Sequence, residues 1–188
     1  GLDWDGPVLK QSERAAAYET ALKALGDRVY PCWCSRAEIA RAASAPHAGE
    51  AGPRYPGTCA QGSTPKPGRT PALRFRAAKG ETSFVDLVHG AYAQDVDAAV
   101  GDFVVRRSAG VASYQLAVVV DDAAQGITDV LRADDLLSST PRQLQLYAAL
   151  GLAPPRFAHL PLLVDEAGKR LAKRDGSLTV AALRTAGR

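Results

Sequence analysis

Three cysteines are the residues whose type and spacing most directly suggest chemistry in this sequence. Cys32 and Cys34 are separated by one residue, and Cys59 follows a segment rich in Gly, Pro, Ser and Thr. In a reducing compartment, Cys-x-Cys thiols are poorly spaced to bond each other but can ligate one tetrahedral zinc ion. A fourth ligand is needed, and the sequence offers His47 or Tyr55. Three unrelated reduced cysteines are an equally good interpretation of the spacing alone.

A basic segment near the C-terminus is the second candidate. It reads Arg170-Leu171-Ala172-Lys173-Arg174 and is followed by Asp175-Gly176. A lysine in a glycine-ended loop beside a sheet can hold a polyphosphate and stabilise charge that develops during nucleotidyl transfer. Taken alone, such a charge run is more often a solvated segment before a helix.

A possible carboxylate-binding arginine is the third candidate. Arg132 follows an apolar run that ends at Leu131, and Tyr114 opens an earlier apolar run. A guanidinium at the carboxyl end of a strand can bind a ligand carboxylate through two hydrogen bonds, although a surface arginine is the ordinary interpretation. His89 and His159 have no partners at metal or triad spacing, and both are interpreted as structural.

Two helices are predicted from residues that favour helix starts and ends. A helix is predicted over 12–25, with Ser12 as its N-cap and Gly26 at its end. A second helix is predicted from Thr140 and Pro141 to Leu150, because threonine caps, proline suits the first turn and Gly151 closes the run.

Predicted strands alternate with these helices. The apolar and β-branched patterns favour strands over 73–76, 83–88, 103–107, 127–131 and 159–164. Residues 114–122 are predicted to form a strand that leads into a helix at Asp121 and Asp122. The alternation across residues 100–165 indicates an α/β fold with a parallel sheet, in which strand 127–131 is expected to be buried on both faces.

Composition excludes several classes of protein. The 188 residues are 46% hydrophobic and 23% charged, which is ordinary for a globular domain and excludes disordered, collagenous and disulfide-scaffold chains. No Gly-rich phosphate loop, G-x-S-x-G or H-E-x-x-H motif occurs. The apolar runs are too short to cross a bilayer and no signal peptide is recognisable, so a cytoplasmic protein without a membrane partner is expected. The net charge of +3 is compatible with a nucleic-acid partner.

The chain begins with Gly1 and contains no methionine. Natural chains begin with methionine and contain a few more. The sequence is therefore expected to be part of a longer protein.

Several segments, in order along nearly the whole chain, together resemble class I glutamyl-tRNA synthetases. The resemblance is closer to the truncated branch of that family that modifies queuosine in tRNA(Asp). The segments that carry it begin at Gly1-Leu2-Asp3-Trp4-Asp5-Gly6-Pro7 and continue through Tyr30-Pro31-Cys32-Trp33-Cys34, Tyr55-Pro56-Gly57-Thr58-Cys59, Asp102-Phe103-Val104-Val105-Arg106-Arg107, Gly126-Ile127-Thr128-Asp129-Val130-Leu131-Arg132 and Ala158-His159-Leu160-Pro161.

The resemblance implies a Rossmann-like catalytic domain that is split by an inserted, zinc-bearing subdomain of the acceptor-binding type. Residues 1–30 would end the first Rossmann half, residues 31–100 would form the insert, and residues 101–188 would form the second half. It also implies one structural zinc ion held by a Cys-x-Cys, Tyr-x-x-x-Cys set, which selects Cys32, Cys34, Tyr55 and Cys59. Tyr55 thereby replaces His47 as the expected fourth ligand.

The resemblance further implies the reaction. Tyr114 and Arg132 match glutamate-binding residues, and Arg170 to Arg174 match a KMSKS-type loop in which Lys173 binds ATP. L-glutamate would attack ATP, with Mg²⁺, to give glutamyl-adenylate and pyrophosphate. The glutamate would then pass to queuosine at the wobble position of tRNA(Asp). A monomer is expected.

Two alternatives to this activity stay open. The chain could be the core of a synthetase that charges tRNA(Glu), or a non-catalytic, zinc-stabilised tRNA-binding remnant. The resemblance implies that the charging branch needs its tRNA before it activates glutamate, whereas the queuosine-modifying branch does not. The family's HIGH motif does not occur in these 188 residues, so this stretch alone is expected not to form adenylate.

Overall fold

A computed structural model describes residues 3–42, 53–164 and 184–185 of the chain. In these ranges the helices are α1 (Ala15–Leu25), α2 (Arg36–Ala42), α3 (Val96–Ala99), α4 (Tyr114–Gln125) and α5 (Thr140–Leu150). The strands are β1 (Val29–Cys32), β2 (Ala72–Phe75), β3 (Glu81–Asp86), β4 (Gly90–Asp95), β5 (Phe103–Arg106), β6 (Asp129–Ala133) and β7 (Arg156–Leu160). Short 3-10 helices occupy Gln11–Glu13, Gly26–Arg28 and Asp134–Ser139. None of the helices in these ranges has the length and apolar character needed to span a bilayer.

The strands form two sheets. A three-stranded antiparallel sheet has the order β1-β2-β5, and a four-stranded mixed sheet has the order β4-β3-β7-β6. Strands β6 and β7 are parallel, with Arg132 opposite His159, and β3 joins β7 through the parallel pair Asp86 and Phe157. The predicted α/β alternation and parallel pairing are therefore confirmed. The parallel arrangement matters for function because it brings the carboxyl ends of β3, β6 and β7 to one edge.

One main core lies between the helices and the two sheets. Helices α1, α4 and α5 pack on strands β2, β5 and β7 through fully buried side chains such as Val105, Leu116, Val119 and Leu146. A second, smaller cluster contains the side chains Tyr30, Cys32, Tyr55 and Cys59. The small cluster is thus a separate packing unit whose members include most of the predicted zinc ligands.

The predicted strand at the start of 114–122 is wrong. Tyr114–Gln125 is one continuous helix, which Ser113 caps by accepting a hydrogen bond from the backbone N–H of Leu116 and which ends at Gly126 in the left-handed conformation. The valines that favoured a strand lie on a helix, and Val119 is fully buried in the main core. Burial of an apolar helix face outweighs the weak preference of β-branched residues for strands.

Other predicted elements differ mainly at their ends. Strand β6 begins two residues later than expected and is an edge strand, so the expectation of burial on both faces is wrong: Leu131 is 68% exposed. The last predicted strand, 159–164, is observed as β7, Arg156–Leu160. Ser12 lies in a 3-10 helix and does not cap α1. Helix α5 is confirmed, with a proline in its first turn and Gly151 left-handed at its end. The prediction that Thr140 caps it is wrong, because Thr140 is the first residue of the helix and its hydroxyl accepts from Arg132.

Candidate functional site

The three cysteines come together in the structure. Cys32 ends β1, Cys34 lies just before α2, and Cys59 lies in a turn, yet their sulfur atoms are all within 4.8 Å of one another. The sulfurs of Cys34 and Cys59 are 3.5 Å apart, and Cys32 and Cys59 are buried. Sulfurs at about 2.3 Å from a tetrahedral zinc ion are themselves roughly 3.8 Å apart, so this spacing suits a metal. The three cysteines could therefore hold one metal ion.

Tyr55 lies against the same cluster. Its Oη is 3.4 Å from Sγ of Cys32 and accepts a 2.8 Å hydrogen bond from the backbone N–H of Cys59. The Cys32 thiol is the donor of the first contact, so the phenol oxygen accepts from both cysteines. The guanidinium of Arg74 lies 3.7 Å from the centre of the Tyr55 ring on one face. The other candidate fourth ligand, His47, lies outside the described residues.

The three thiols of the cluster influence one another's ionisation. Burial, followed by the hydrogen bond to Cys59 and the charge of Cys32, raises the pKa of Cys34 to about 11. The pKa of Cys59 is lowered: burial opposes this, but hydrogen bonds from the Trp33 backbone and Tyr55 outweigh it. When no cation lies between the sulfurs, a thiolate at one cysteine thus disfavours deprotonation of its neighbour. A divalent cation reverses this effect, because it favours the thiolate at every sulfur.

Local contacts hold the cysteine-bearing segments in place. Ser35 and Glu38 form a reciprocal capping box at the start of α2: the Ser35 N–H donates to Glu38 and the Glu38 N–H donates to Ser35 Oγ. The Lys66 ammonium lies 2.6 Å from the other Glu38 oxygen. The Tyr55 N–H donates to the Val100 carbonyl at 2.8 Å. The cluster is therefore anchored to α2 on one side and to the end of α3 on the other.

Arg132 lies in β6 near its carboxyl end, and its guanidinium is held by four neutral side chains. Nε donates to Nε2 of His159 at 2.9 Å, and Nη1 donates to Oη of Tyr114 at 3.3 Å. Nη2 donates to Oγ1 of Thr140 and to Oε1 of Gln143, both at 2.8 Å. These bonds use four of the five N–H groups of the guanidinium. Among the described residues, the second N–H of Nη1 has no acceptor.

Tyr114 and Arg132, which were paired only by resemblance, are therefore brought together. Tyr114 is the first residue of α4 and is 41% exposed, so the pair opens to solvent. The guanidinium carbon of Arg132 also lies 5.3 Å from the centre of the Phe157 ring, beneath it on β7. A ligand carboxylate approaching from the open side would meet the phenol and the available Nη1 N–H group together.

His159, interpreted as structural because no partner stands at metal or triad spacing in the sequence, has a partner from a different strand. Its side chain is fully buried, and its Nδ1 lies 2.6 Å from Oδ2 of Asp86. The other Asp86 oxygen accepts hydrogen bonds from the backbone N–H groups of Val88 and His89. Although burial opposes it, these bonds hold the pKa of the Asp86 carboxyl well below its usual value. No sequence spacing signalled this pair, because Asp86 and His159 belong to different strands.

A cavity of about 570 Å³ lies next to the cysteine cluster. Tyr55 lines it on the cluster side, and Gln115, which hydrogen-bonds Gln143, lines it on the other. Three arginines contribute to its wall: Arg36, Arg74 and Arg142. The cavity therefore presents positive charge to anything that enters it. The basic segment Arg170 to Arg174, with Lys173, lies outside the described residues.

The chain was compared with protein families and with known proteins. The sequence profile of the family described as "tRNA synthetases class I (E and Q), catalytic domain" matches residues 1–187. Proteins named glutamyl-Q tRNA(Asp) synthetase from Geobacter sulfurreducens and Nocardia farcinica are each 50% identical to the chain, over 97% and 100% of its length. The chain spans 58% and 61% of these relatives. The expected resemblance to this branch is confirmed.

A solved structure gives the same picture of the fold. The crystal structure of glutamate-tRNA synthetase from Elizabethkingia anophelis superposes with a TM-score of 0.72 at 25% identity. The match covers 91% of this chain and 38% of that one. The expected class I catalytic-domain fold is thereby confirmed for the greater part of the chain.

Proposed function

The chain belongs to the catalytic-domain family of class I tRNA synthetases for glutamate and glutamine, and from this premise we propose that it activates L-glutamate with ATP and transfers it to queuosine at the wobble position of tRNA(Asp). The names of relatives that are half identical over nearly the whole chain support this substrate. Since the chain spans about 60% of those relatives, the proposal concerns the protein to which these residues belong. The division at residues 30 and 100 is part of the same proposal.

The observation that carries the proposal is the Arg132 guanidinium beside the Tyr114 phenol, 3.3 Å apart and open to solvent. Because the hydrogen bonds of Arg132 go to neutral groups, no carboxylate of the described residues pairs directly with its positive charge. A side-chain carboxylate gains both a charge-assisted hydrogen bond and this charge, whereas a neutral amide gains only a hydrogen bond. Glutamate is therefore preferred to glutamine.

The proposed chemistry follows from this binding mode. With the side-chain carboxylate held, the α-carboxylate of glutamate attacks the α-phosphorus of ATP, forms a carbon–oxygen–phosphorus linkage and releases pyrophosphate. Lys173 is proposed to bind the ATP phosphates, and Mg²⁺ to neutralise their charge. The adenylate then transfers its glutamyl group to queuosine and releases AMP.

The cysteine cluster is proposed to hold one structural zinc ion. Cys32, Cys34 and Cys59 would supply thiolates and Tyr55 the fourth ligand, in agreement with the 3.4 and 3.5 Å separations among these atoms. Zinc bound by four protein ligands has no open position for substrate, so it contributes folding energy rather than catalysis. The ion would crosslink the end of β1 to the turn that carries Cys59.

The arginine-lined cavity supports a polyanionic partner. Arg36, Arg74 and Arg142 all line it, and they attract the phosphate backbone of an RNA. We propose that the tRNA approaches the Arg132 side through this face, since the cavity extends from the cysteine cluster to Gln115. Binding should then weaken steeply with added salt.

The decisive experiment uses the protein expressed from its natural gene and measures glutamate-dependent exchange of pyrophosphate into ATP, first without tRNA. Exchange without tRNA, followed by labelled glutamate on queuosine-containing tRNA(Asp) and none on tRNA lacking queuosine, is the expected result. Exchange that requires tRNA(Glu) would instead identify a charging synthetase, and no exchange under either condition would contradict both activities.

Two variants connect that activity to the site. Arg132→Gln removes the charge and should raise the KM for glutamate by about 10- to 100-fold, the value of a charged hydrogen bond. Arg132→Lys keeps the charge but cannot make four separate side-chain contacts, and it should be impaired to a similar degree. An unchanged KM in both variants would show that Arg132 does not bind the substrate.

A further inference from the structure

The groups that hold the Arg132 guanidinium are neutral where they touch it. An arginine that only serves a structural role in a buried site is most often paired with a carboxylate, because a buried charge without a counter-charge is costly. Here the direct acceptors are an imidazole, a hydroxyl, a phenol and an amide. The nearest carboxylate in the hydrogen-bonded network, Asp86, acts through His159.

We propose that these acceptors are positioning and specificity-determining residues: they fix the plane of the Arg132 guanidinium and leave its charge available for an acidic ligand. The positioning residues that contact the guanidinium are His159, Thr140 and Gln143, and Asp86 acts through His159. This inference rests on the proposed function, because the acidic ligand is the side-chain carboxylate of the amino-acid substrate.

The protonation of His159 follows from its contacts. Arginine is only a donor, so Nε2 of His159 must accept the bond from Nε of Arg132. The imidazole hydrogen then lies on Nδ1 and is donated to Asp86, which selects the neutral tautomer with its lone pair directed at the guanidinium. Asp86 in turn is fixed by two backbone N–H groups, so the orientation of the imidazole is set from β3.

The same reasoning orients the two glutamines. Oε1 of Gln143 must face Nη2 of Arg132, so its amide NH₂ donates to Oε1 of Gln115 at 2.9 Å. The NH₂ of Gln115 then donates to Oγ of Ser139 at 3.1 Å. The hydrogen bonds therefore run in one direction, from Arg132 to Gln143, then to Gln115 and Ser139. They orient the Gln143 oxygen toward the guanidinium and connect Arg132 to both α4 and α5.

A nucleophilic triad of Thr140, His159 and Asp86 is excluded by the geometry. Oγ1 of Thr140 is 3.2 Å from Nε2 of His159, which resembles a hydroxyl–base pair. However, both side chains are fully buried, and the Nε–H of Arg132 occupies the Nε2 lone pair at the shorter distance of 2.9 Å. The imidazole therefore has no free lone pair with which to accept the hydroxyl proton.

A more distant acid, Asp122, lies near Arg132 without contacting its guanidinium. Asp122 on α4 lies within electrostatic reach of Arg132, but burial raises the pKa of its carboxyl, an effect that the arginine charge only partly opposes. Asp122 makes no side-chain hydrogen bond to Arg132. The guanidinium thus has no carboxylate in direct contact among the described residues, and its open side is the one beside the exposed Tyr114.

Two matched pairs of variants test the proposal. Gln143 and Gln145 are both buried on α5 and both hydrogen-bonded, but only Gln143 contacts Arg132, since Gln145 bonds to Ala78 and Thr82. Gln143→Leu should therefore affect substrate binding, whereas Gln145→Leu should only lower stability. His159→Asn keeps a donor for Asp86 but removes the acceptor for Arg132. His159→Gln keeps an acceptor near the former Nε2 position.

The first measurement needs no activity. Arginine-labelled NMR of the protein expressed from its natural gene reports the Nε–H of Arg132, which should exchange slowly with water in the wild type and in Gln145→Leu. His159→Asn should lose that protection, and His159→Gln should retain part of it. Nitrogen shifts of His159 should show the hydrogen on Nδ1. Equal protection in the wild type and His159→Asn would overturn the proposed positioning.

The second measurement is glutamate-dependent pyrophosphate exchange with a split of KM and kcat. Gln143→Leu and His159→Asn should raise the glutamate KM about tenfold, the effect of one lost hydrogen bond to a charged group. Their kcat at saturating glutamate should stay within about twofold, because the missing group is remote from the reacting α-carboxylate. A KM increase no larger than that of Gln145→Leu would overturn the proposed role in specificity. If the wild type shows no exchange, the proposed function fails, and the NMR result alone decides the positioning.

Discussion

The Oη of Tyr55 lies 3.4 Å from the Sγ of Cys32 and is bonded by the backbone N–H of Cys59. One phenol therefore contacts two of the three cysteines that form the candidate metal centre. The same tyrosine ring supports Arg74, which lines the cavity next to the cluster. Loss of a metal ion from this centre should therefore alter the position of Arg74 in the cavity wall.

Variants of the proposed zinc ligands should distinguish the contribution of metal coordination from that of side-chain packing. The purified protein is expected to contain one zinc per chain by elemental analysis. Cys34→Ser should lose the metal and become less stable, because it removes one ligand of the proposed four-ligand structural site. Tyr55→Phe keeps the ring against Arg74 but lacks Oη, and its zinc affinity should fall by at least about 10- to 100-fold, the loss typical of groups that orient a ligand. Retention of wild-type affinity by Tyr55→Phe would remove Tyr55 from the ligand set.

Gly101 is expected to be necessary for the position of Tyr55. It has a φ of 72°, and a Cβ added there would clash with the Tyr55 carbonyl oxygen. Gly101→Ala should lower the free energy of unfolding by about 3 kcal/mol, from left-handed strain and a backbone clash together. Gly151→Ala is the matched control, because Gly151 has a φ of 66° but open space around its Cα. The control should cost about 1 kcal/mol, and equal losses in urea denaturation would contradict the clash.

The start of α2 should be sensitive to acid. The hydrogen bond from Lys66, followed by those from Ser35, lowers the pKa of Glu38 from 4.5 to about 2. Because the folded value lies below the unfolded one, the stabilisation is complete above about pH 4.5 and is lost as the pH falls toward 2. The Ser35 amide signal in NMR should titrate with a midpoint near 2 and should not titrate in this range in Glu38→Gln. A midpoint near 4.5 in the wild type would contradict the capping box.

A buried charged group joins α1 to α4 and should be important for stability. Asp121 is 5% exposed, and its two oxygens accept from Nε of Arg14 at 2.6 Å and from Oη of Tyr18 at 2.7 Å. Asp121→Ala should cost about 3 kcal/mol in urea denaturation, because it leaves a cation and a buried hydroxyl unpaired. Glu13→Ala breaks a highly exposed pair with Lys10 and should cost less than about 0.5 kcal/mol. Similar losses in the two variants would show that the buried group adds little.

Local sequence signals were sufficient to predict the features that depend on residue type and short-range spacing. Helix α5 could be predicted because Pro141 and Gly151 favour its start and end through short-range backbone effects. The cysteine set could be identified because thiols are rare and their chemistry is specific. Arg132 could be singled out because a guanidinium at the carboxyl end of a predicted strand can bind a carboxylate.

The interior of the fold and the support of Arg132 depended on tertiary structure. Residues 114–122 form a helix because its apolar face is buried in the main core, an effect of distant neighbours that β-branched composition could not reveal. Likewise, His159 had no apparent partner in the sequence, since Asp86 reaches it only where β3 and β7 lie side by side. Composition and spacing determined which side chains could do chemistry here. The packing of strands remote in sequence decided which hydrogen bonds orient them, because a hydrogen bond depends on distances of a few tenths of an ångström that no local pattern encodes.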